Sequence, residues 1–112
     1  MVESILTSFV QDSLLPNSTH FIQKMIAFFP LTATLPFFDV AFDHFADFSV
    51  NKNAICVLKR MISKLRESEK CHSQYVGQLR GRFLLAVEGS FDRIVQDTYG
   101  NYVVQFLFEN FG

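Results

Sequence analysis

Apolar side chains return along this chain at intervals of three and four residues, the period that places them on one side of an α-helix. Val2, Ile5, Leu6, Phe9 and Val10 mark a first amphipathic helix over residues 2–12, with Glu3 and Gln11 outward. Pro16 interrupts it, and the Asn and Ser side chains of residues 13–18 suit the cap of a second helix over 19–29, which Pro30 stops. In residues 35–48, Phe38, Ala41, Phe42 and Phe45 form the apolar stripe, and Asp39, Asp43 and Asp47 lie on the wet side. Ser49 or Asn51 can cap the next helix, residues 53–66, whose inward positions are Val57, Leu58, Met61, Ile62 and Leu65. Residues 66–82, charged and carrying Gly77 and Gly81, are the least regular stretch and read as a loop with some helix. Residues 83–95 return to helix through Leu84, Val87, Phe91, Ile94 and Val95. In the last stretch, residues 95–112, Val103, Val104, Leu107 and Phe111 fall on one side of a helix, and Asn101, Tyr102, Gln105 and Glu109 fall opposite. No segment shows the alternation of a strand.

Three of these helices repeat one another. THFIQKMIAFF from Thr19, ICVLKRMISKL from Ile55 and NYVVQFLFENF from Asn101 align so that Phe21, Val57 and Val103 coincide, as do Ile22, Leu58 and Val104. Met25, Met61 and Leu107 coincide in turn, then Phe29, Leu65 and Phe111. The starts lie 36 and then 46 residues apart, so the third unit carries about ten extra residues, assigned to the irregular loop. Upstream, FVQD at Phe9–Asp12 answers IVQD at Ile94–Asp97. Units of this length cannot bury their own apolar faces and do so by stacking, which predicts an all-α solenoid with units at 1–30, 31–70 and 71–112.

Composition agrees with a packed chain. At 112 residues this is one domain at most, and 49% hydrophobic content with 14 Phe is ample for a core. The net charge of −1 does not advertise a polyanion partner, but its distribution is uneven: residues 1–50 carry a net −4 and residues 51–112 a net +3. Any phosphate contact is therefore expected in the second half. Cys56 and Cys71 have no metal-ligand spacing and read as free thiols of a reducing compartment. The longest uncharged run, Met25–Phe38, is broken by two prolines and too short to span a bilayer, and Glu3 replaces the basic start of a signal peptide. A soluble intracellular protein is expected. Gly-rich phosphate loops, nucleophile elbows and paired carboxylates are missing, and Asp43 and His44 diverge on a helix, so no enzyme, cofactor or metal site is expected.

What chemistry remains lies on the polar side of the last helix. Asn101 and Gln105 stand four apart and point the same way, with the ring of Tyr102 about a quarter turn from both. Amides that donate and accept, beside an aromatic ring, suit the recognition of a planar heterocycle. The string QDTYGNYVVQ resembles the base-reading helix of a Puf (Pumilio) repeat, whose pattern is Asn-Tyr-x-x-Gln after a Tyr-Gly turn. The resemblance extends over essentially the whole chain as three Puf-like repeats, closest in the third, less close in the first (NSTHFIQKMI) and least in the middle.

That resemblance implies a right-handed α-α superhelix, here one partial Puf solenoid over residues 1–112, binding single-stranded RNA one base per repeat. It implies Asn101 and Gln105 as readers of the Watson–Crick edge of one base, uracil by the family pattern, and Tyr102 as the stacking ring. In the first repeat the matching positions are Thr19, His20 and Gln23; His20 can stack, while Thr19 departs from the usual residues. In the middle repeat they are Ile55, Cys56 and Lys59: isoleucine cannot read a base edge, and lysine suits phosphate better than pairing. Arg60 and Lys64 point away from Ile55 and read as a solvated flank. The family's role would be binding of mRNA 3′ untranslated regions in the cytoplasm, repressing translation or promoting decay through recruited co-repressors. Two other readings stay open: a helical-repeat scaffold for proteins, favoured by Thr19, Ile55 and Lys59, and a divergent Puf-like RNA binder of ribosome biogenesis. With no polar cap at either end, exposed ends or self-association also follow.

Overall fold

The structure, a computed structural model, describes the backbone of residues 2–111 and the side chains of residues 8–110. Val2, Glu3, Ile5, Leu6 and Phe111, assigned faces above, lie outside the described side chains. Among the described residues eight helices follow one another: α1 (Val2–Leu14), α2 (Thr19–Phe28), α3 (Leu31–Asp43), α4 (Phe45–Ser49), α5 (Ala54–Ser68), α6 (Ser73–Gly89), α7 (Phe91–Val95) and α8 (Thr98–Phe111). Among the described residues there is no strand. The helices α2, α5 and α8 lie side by side with α5 in the middle, and α1, α3, α4, α6 and α7 cover their inner side. The body measures 37 × 32 × 18 Å, its short axis two helix layers deep at the usual interaxial distance of about 8–10 Å.

Backbone hydrogen bonds fix the register of the three units. Thr19 N donates to Leu15 O (3.0 Å), Ile55 N to Asn51 O (3.0 Å) and Asn101 N to Asp97 O (2.8 Å). One turn earlier, Leu15 N donates to Asp12 O (3.4 Å), Asn51 N to Phe48 O (3.3 Å) and Asp97 N to Ile94 O (3.2 Å). Thr19, Ile55 and Asn101 are therefore equivalent, as the sequence alignment expects. By the same register Asp12, Phe48 and Ile94 are equivalent, so the FVQD and IVQD echo is three residues out of step.

The cap positions correspond too, but only two are filled. Asn51 Oδ1 accepts from the backbone N–H groups of Asn53 (2.8 Å) and Ala54 (3.0 Å), and Asp97 Oδ1 accepts from those of Tyr99 (2.9 Å) and Gly100 (3.1 Å). These bonds satisfy donors that a helix start leaves free. Asn51, rather than the buried Ser49, is the cap of α5. The first unit has Leu15 at this position, and the expected Asn or Ser cap of α2 is not formed: Ser18 makes no capping bond.

The ten extra residues are not a loop. Residues 66–82 are mostly helical: α5 runs four residues further past its Ile55 position than α2 runs past Thr19, the connection grows from two residues to four, and α6 is four residues longer than α3. Gly77 and Gly81 sit inside α6 with nothing near their missing Cβ atoms, where glycine weakens a helix without breaking it. From α3 to α8 the repeat is a uniform 46 residues, so the first unit is the short one.

The core is aromatic and also repeats. Phe9 packs on Phe37 with ring centroids 5.2 Å apart, and their equivalents Phe45 and Phe83 pack at 6.1 Å. Phe83 is fully buried and meets Phe42 edge to face at 4.8 Å and Phe38 at 6.2 Å. Val57, Leu58, Met61, Ile62 and Leu65 are all inward, as expected for a helix flanked on both sides. Ile22, Met25, Val103 and Leu107 are inward too, and Val104 is half-buried. Phe21, Phe29, Leu84, Phe91 and Val95, expected inward, are instead exposed. All five belong to the first or last unit.

Candidate nucleic-acid interface

The outer surface of the α2, α5, α8 layer is set by register. Gly100 lies in the first turn of α8, so close to α7 that a Cβ there would lie 2.3 Å from the Ile94 carbonyl oxygen, which explains the glycine; Tyr99 and Gly100 are helical rather than the expected turn. From that start α8 turns Asn101, Tyr102 and Gln105 to solvent, with Tyr102 49% exposed. The matching residues of the other repeats divide. His20 is exposed, and Gln23, Cys56 and Lys59 are half-buried on the same open face. Thr19 and Ile55 are not on it: they are 2% and 6% exposed. The Thr19 hydroxyl donates to the Asn53 carbonyl at the start of the next repeat's α5 (3.0 Å) and accepts from Gln23 Nε2 (3.3 Å). The expected strip of Thr19, Ile55 and Asn101 is thus corrected, because the following repeat covers that position in the first two units. Asn101 itself is exposed.

The open row runs instead one, four and five residues after the Thr19 position: His20, Gln23 and Lys24; Cys56, Lys59 and Arg60; Tyr102, Gln105 and Phe106. Two shallow grooves follow it. One, about 290 Å³, lies along α2 and α5 and is lined by His20, Gln23, Lys24, Ala27, Phe28 and Arg60. The other, about 270 Å³, lies toward α8 and is lined by Gln23, Cys56, Lys59, Arg60, Ser63 and Phe106. Neither contains a carboxylate.

Lys59 joins the middle repeat to the last. Its ammonium lies 4.9 Å from the Tyr102 ring centroid and 5.3 Å from that of Phe106, and it donates to the Tyr102 hydroxyl at 3.5 Å. Ring quadrupoles attract a cation held in this way. Arg60 does point away from Ile55, as expected, but Ile55 is buried, so pointing away places Arg60 in both grooves. Lys64 ties α5 to the end of α2 by donating to the Ala27 carbonyl (2.9 Å), and Arg66 donates to Asn110 Oδ1 (3.1 Å). Lys24, Arg60, Ser63 and Phe106 are the interface residues that sequence reasoning missed; the signal was the spacing of Lys24, Arg60 and Phe106 at one repeat position.

Charge separates by layer as well as by half of the chain. The helices α2, α5 and α8 carry Lys24, Lys59, Arg60, Lys64 and Arg66 against Glu67 and Glu109. Acidic residues predominate in the other layer, where Asp39 pairs with Arg82 and Asp47 with Arg93. Among the described residues no group of His, Cys, Asp and Glu could hold a metal ion. No helix among them is long and apolar enough to cross a membrane. The interface thus offers stacking rings, amides and cations together, the groups that hold bases and phosphates of a single strand.

Comparison with known families adds a direct assignment. The sequence model of the Pumilio-family RNA binding repeat matches residues 44–72 and 91–112, just under half of the chain. The matched segments begin at α4 and α7 and take in α5 and α8. Comparisons with curated proteins and with solved structures return no match.

Proposed function

The chain belongs to the Pumilio repeat family, and on that premise we propose that its α2, α5, α8 face binds single-stranded RNA, selecting bases chiefly through the last repeat. The observation that carries the proposal is the joint exposure of Asn101, Tyr102 and Gln105 beside a groove without carboxylates. Tyr102 stacks a base while Asn101 and Gln105 bond its edge; His20 and Gln23 offer a ring and an amide in the first repeat. Lys24, Lys59 and Arg60 take the phosphates. The cellular setting proposed is binding of mRNA 3′ untranslated regions in the cytoplasm, with control of translation or mRNA stability through recruited co-repressors and no chemistry of the chain's own.

One finding favours a second reading, an RNA binder of ribosome biogenesis that holds its target without strict base selection. With Thr19 and Ile55 buried, only one repeat of three presents two edge readers. Binding to randomised single-stranded RNA, repeated with Asn101→Ala and Gln105→Ala, separates the readings. Loss of a uracil preference supports base selection, and unchanged salt-sensitive binding supports the second reading. No RNA binding at all would leave a protein scaffold.

A further inference from the structure

The fifth position after the Thr19 position carries Lys24 in the first repeat, Arg60 in the middle one and Phe106 in the last, so α8 puts a ring where its equivalents put a cation. That ring is half-buried. It packs on the core and also walls the groove of about 270 Å³ whose other lining residues are Gln23, Cys56, Lys59, Arg60 and Ser63. These residues come from α2, α5 and α8, so the groove belongs to the internal junctions of the stack and not to either of its ends. An aromatic surface beside polar and cationic side chains, none of them acidic, suits a nucleotide, because the base can stack on the ring while the phosphate meets the cations.

Tyr102, one turn before Phe106, lies on the same side of α8. The Lys59 ammonium stands 4.9 Å from the Tyr102 ring centroid and 5.3 Å from that of Phe106, so the order across this surface is ring, cation, ring. A dinucleotide step has the matching order of base, phosphate, base. The bond to the Tyr102 hydroxyl uses one of the three N–H groups of the ammonium and leaves two for a phosphate. We propose that the α5–α8 junction holds two successive nucleotides of one RNA strand: the base of one stacks on Tyr102, the base of its neighbour enters the groove and stacks on Phe106, and the phosphate between them sits on Lys59. The inference rests on the RNA reading given above and adds a base that the row of His20, Cys56 and Tyr102 does not contain. Across the groove the Ser63 hydroxyl donates and accepts, and Gln23, whose Nε2 donates to Thr19 Oγ1 (3.3 Å), keeps its Oε1 as an acceptor. Stacking takes any base, and these few polar groups do not match one base edge alone, so the second position is sequence-tolerant.

The sequence contains no tryptophan, so Phe106→Trp places a single fluorophore in the groove of the whole chain. Its emission is expected to fall as decauridine is added, with the same midpoint as the anisotropy of the labelled RNA, because a stacked base quenches an indole. Phe106→Ala, with folding checked by circular dichroism, is expected to weaken decauridine binding about 5- to 150-fold, the loss of one stacking partner. Should Phe106→Ala fail to fold, the tryptophan signal decides by itself. Unchanged emission at an RNA concentration where anisotropy shows saturation overturns the inference, and so does a folded Phe106→Ala chain that binds as the wild type does. In either case, weakened binding by Tyr102→Ala would leave the RNA reading standing, whereas a wild type that binds no decauridine removes both.

Discussion

Asp47 on α4 accepts a 3.0 Å hydrogen bond from Arg93 on α7, and the two residues occupy the same position of successive repeats, 46 residues apart. Opposite charges at one repeat position attract across the junction, where identical ones would repel. Both side chains are more than half exposed, so the pair contributes about 0.2–1 kcal/mol. Asp47→Arg is expected to lower stability by a similar amount, and the exchanged pair Asp47→Arg with Arg93→Asp to recover most of it. A double-mutant cycle by urea unfolding measures this; no recovery in the exchanged pair would mean the contact has no energetic part.

Gly100→Ala is expected to destabilise the chain by about 1–3 kcal/mol, since the new Cβ would collide with the Ile94 carbonyl and the backbone must shift. A melting temperature equal to wild type would show that the α7–α8 junction can open without cost.

At Leu15 the effect should have the opposite sign. Its carbonyl accepts from Thr19 N as the cap residues Asn51 and Asp97 accept one repeat on, yet its side chain caps nothing and is exposed. Leu15→Asp supplies the missing acceptor for α2 and is expected to stabilise by about 0.5–2 kcal/mol, the usual range for gaining an N-cap. Denaturant unfolding reads the gain, and destabilisation would show that the first repeat departs from the common cap geometry.

Phe83 closes the junction between the middle and last repeats, with ring contacts to Phe38, Phe42 and Phe45. Phe83→Ala should cost about 3–5 kcal/mol, enough to remove a large part of the stability of a domain of this size. Calorimetry that found a loss below 1 kcal/mol would contradict the packing described.

RNA contact has two separable signatures. Tyr102→Ala should weaken binding of oligouridine by about 1–3 kcal/mol at every salt concentration, as expected for a lost stacking partner. Lys59→Gln should reduce the slope of log affinity against log salt by about 0.7, the value for one phosphate of a single strand. Fluorescence anisotropy titrations at several ionic strengths distinguish them; an unchanged slope for Lys59→Gln would place Lys59 outside the phosphate path.

The hydrophobic period of three to four residues by itself determined α1, α2, α5 and α8, the common register of Thr19, Ile55 and Asn101, and the polar outer side of α8. Those are properties of a local pattern, and the chain repeats them. The same period did not show the breaks at His44 and Ser90 that split residues 31–49 and 73–95 into two helices each. What lies across a junction depends on a neighbour that no local pattern contains. Thr19 and Ile55 look like surface residues on a helical wheel, and only the following repeat, by covering them, makes them interior. Arg60 was legible as pointing away from Ile55, but which direction faces solvent was decided by the side-by-side packing of α2, α5 and α8. Glycines and charges made residues 66–82 resemble a loop, yet burial of Val76, Leu79 and Phe83 against the preceding repeat holds them as helix. Phe21 and Phe108 are exposed although their equivalents Val57 and Ile62 are core, a difference that equal hydrophobicity on a helical wheel does not reveal.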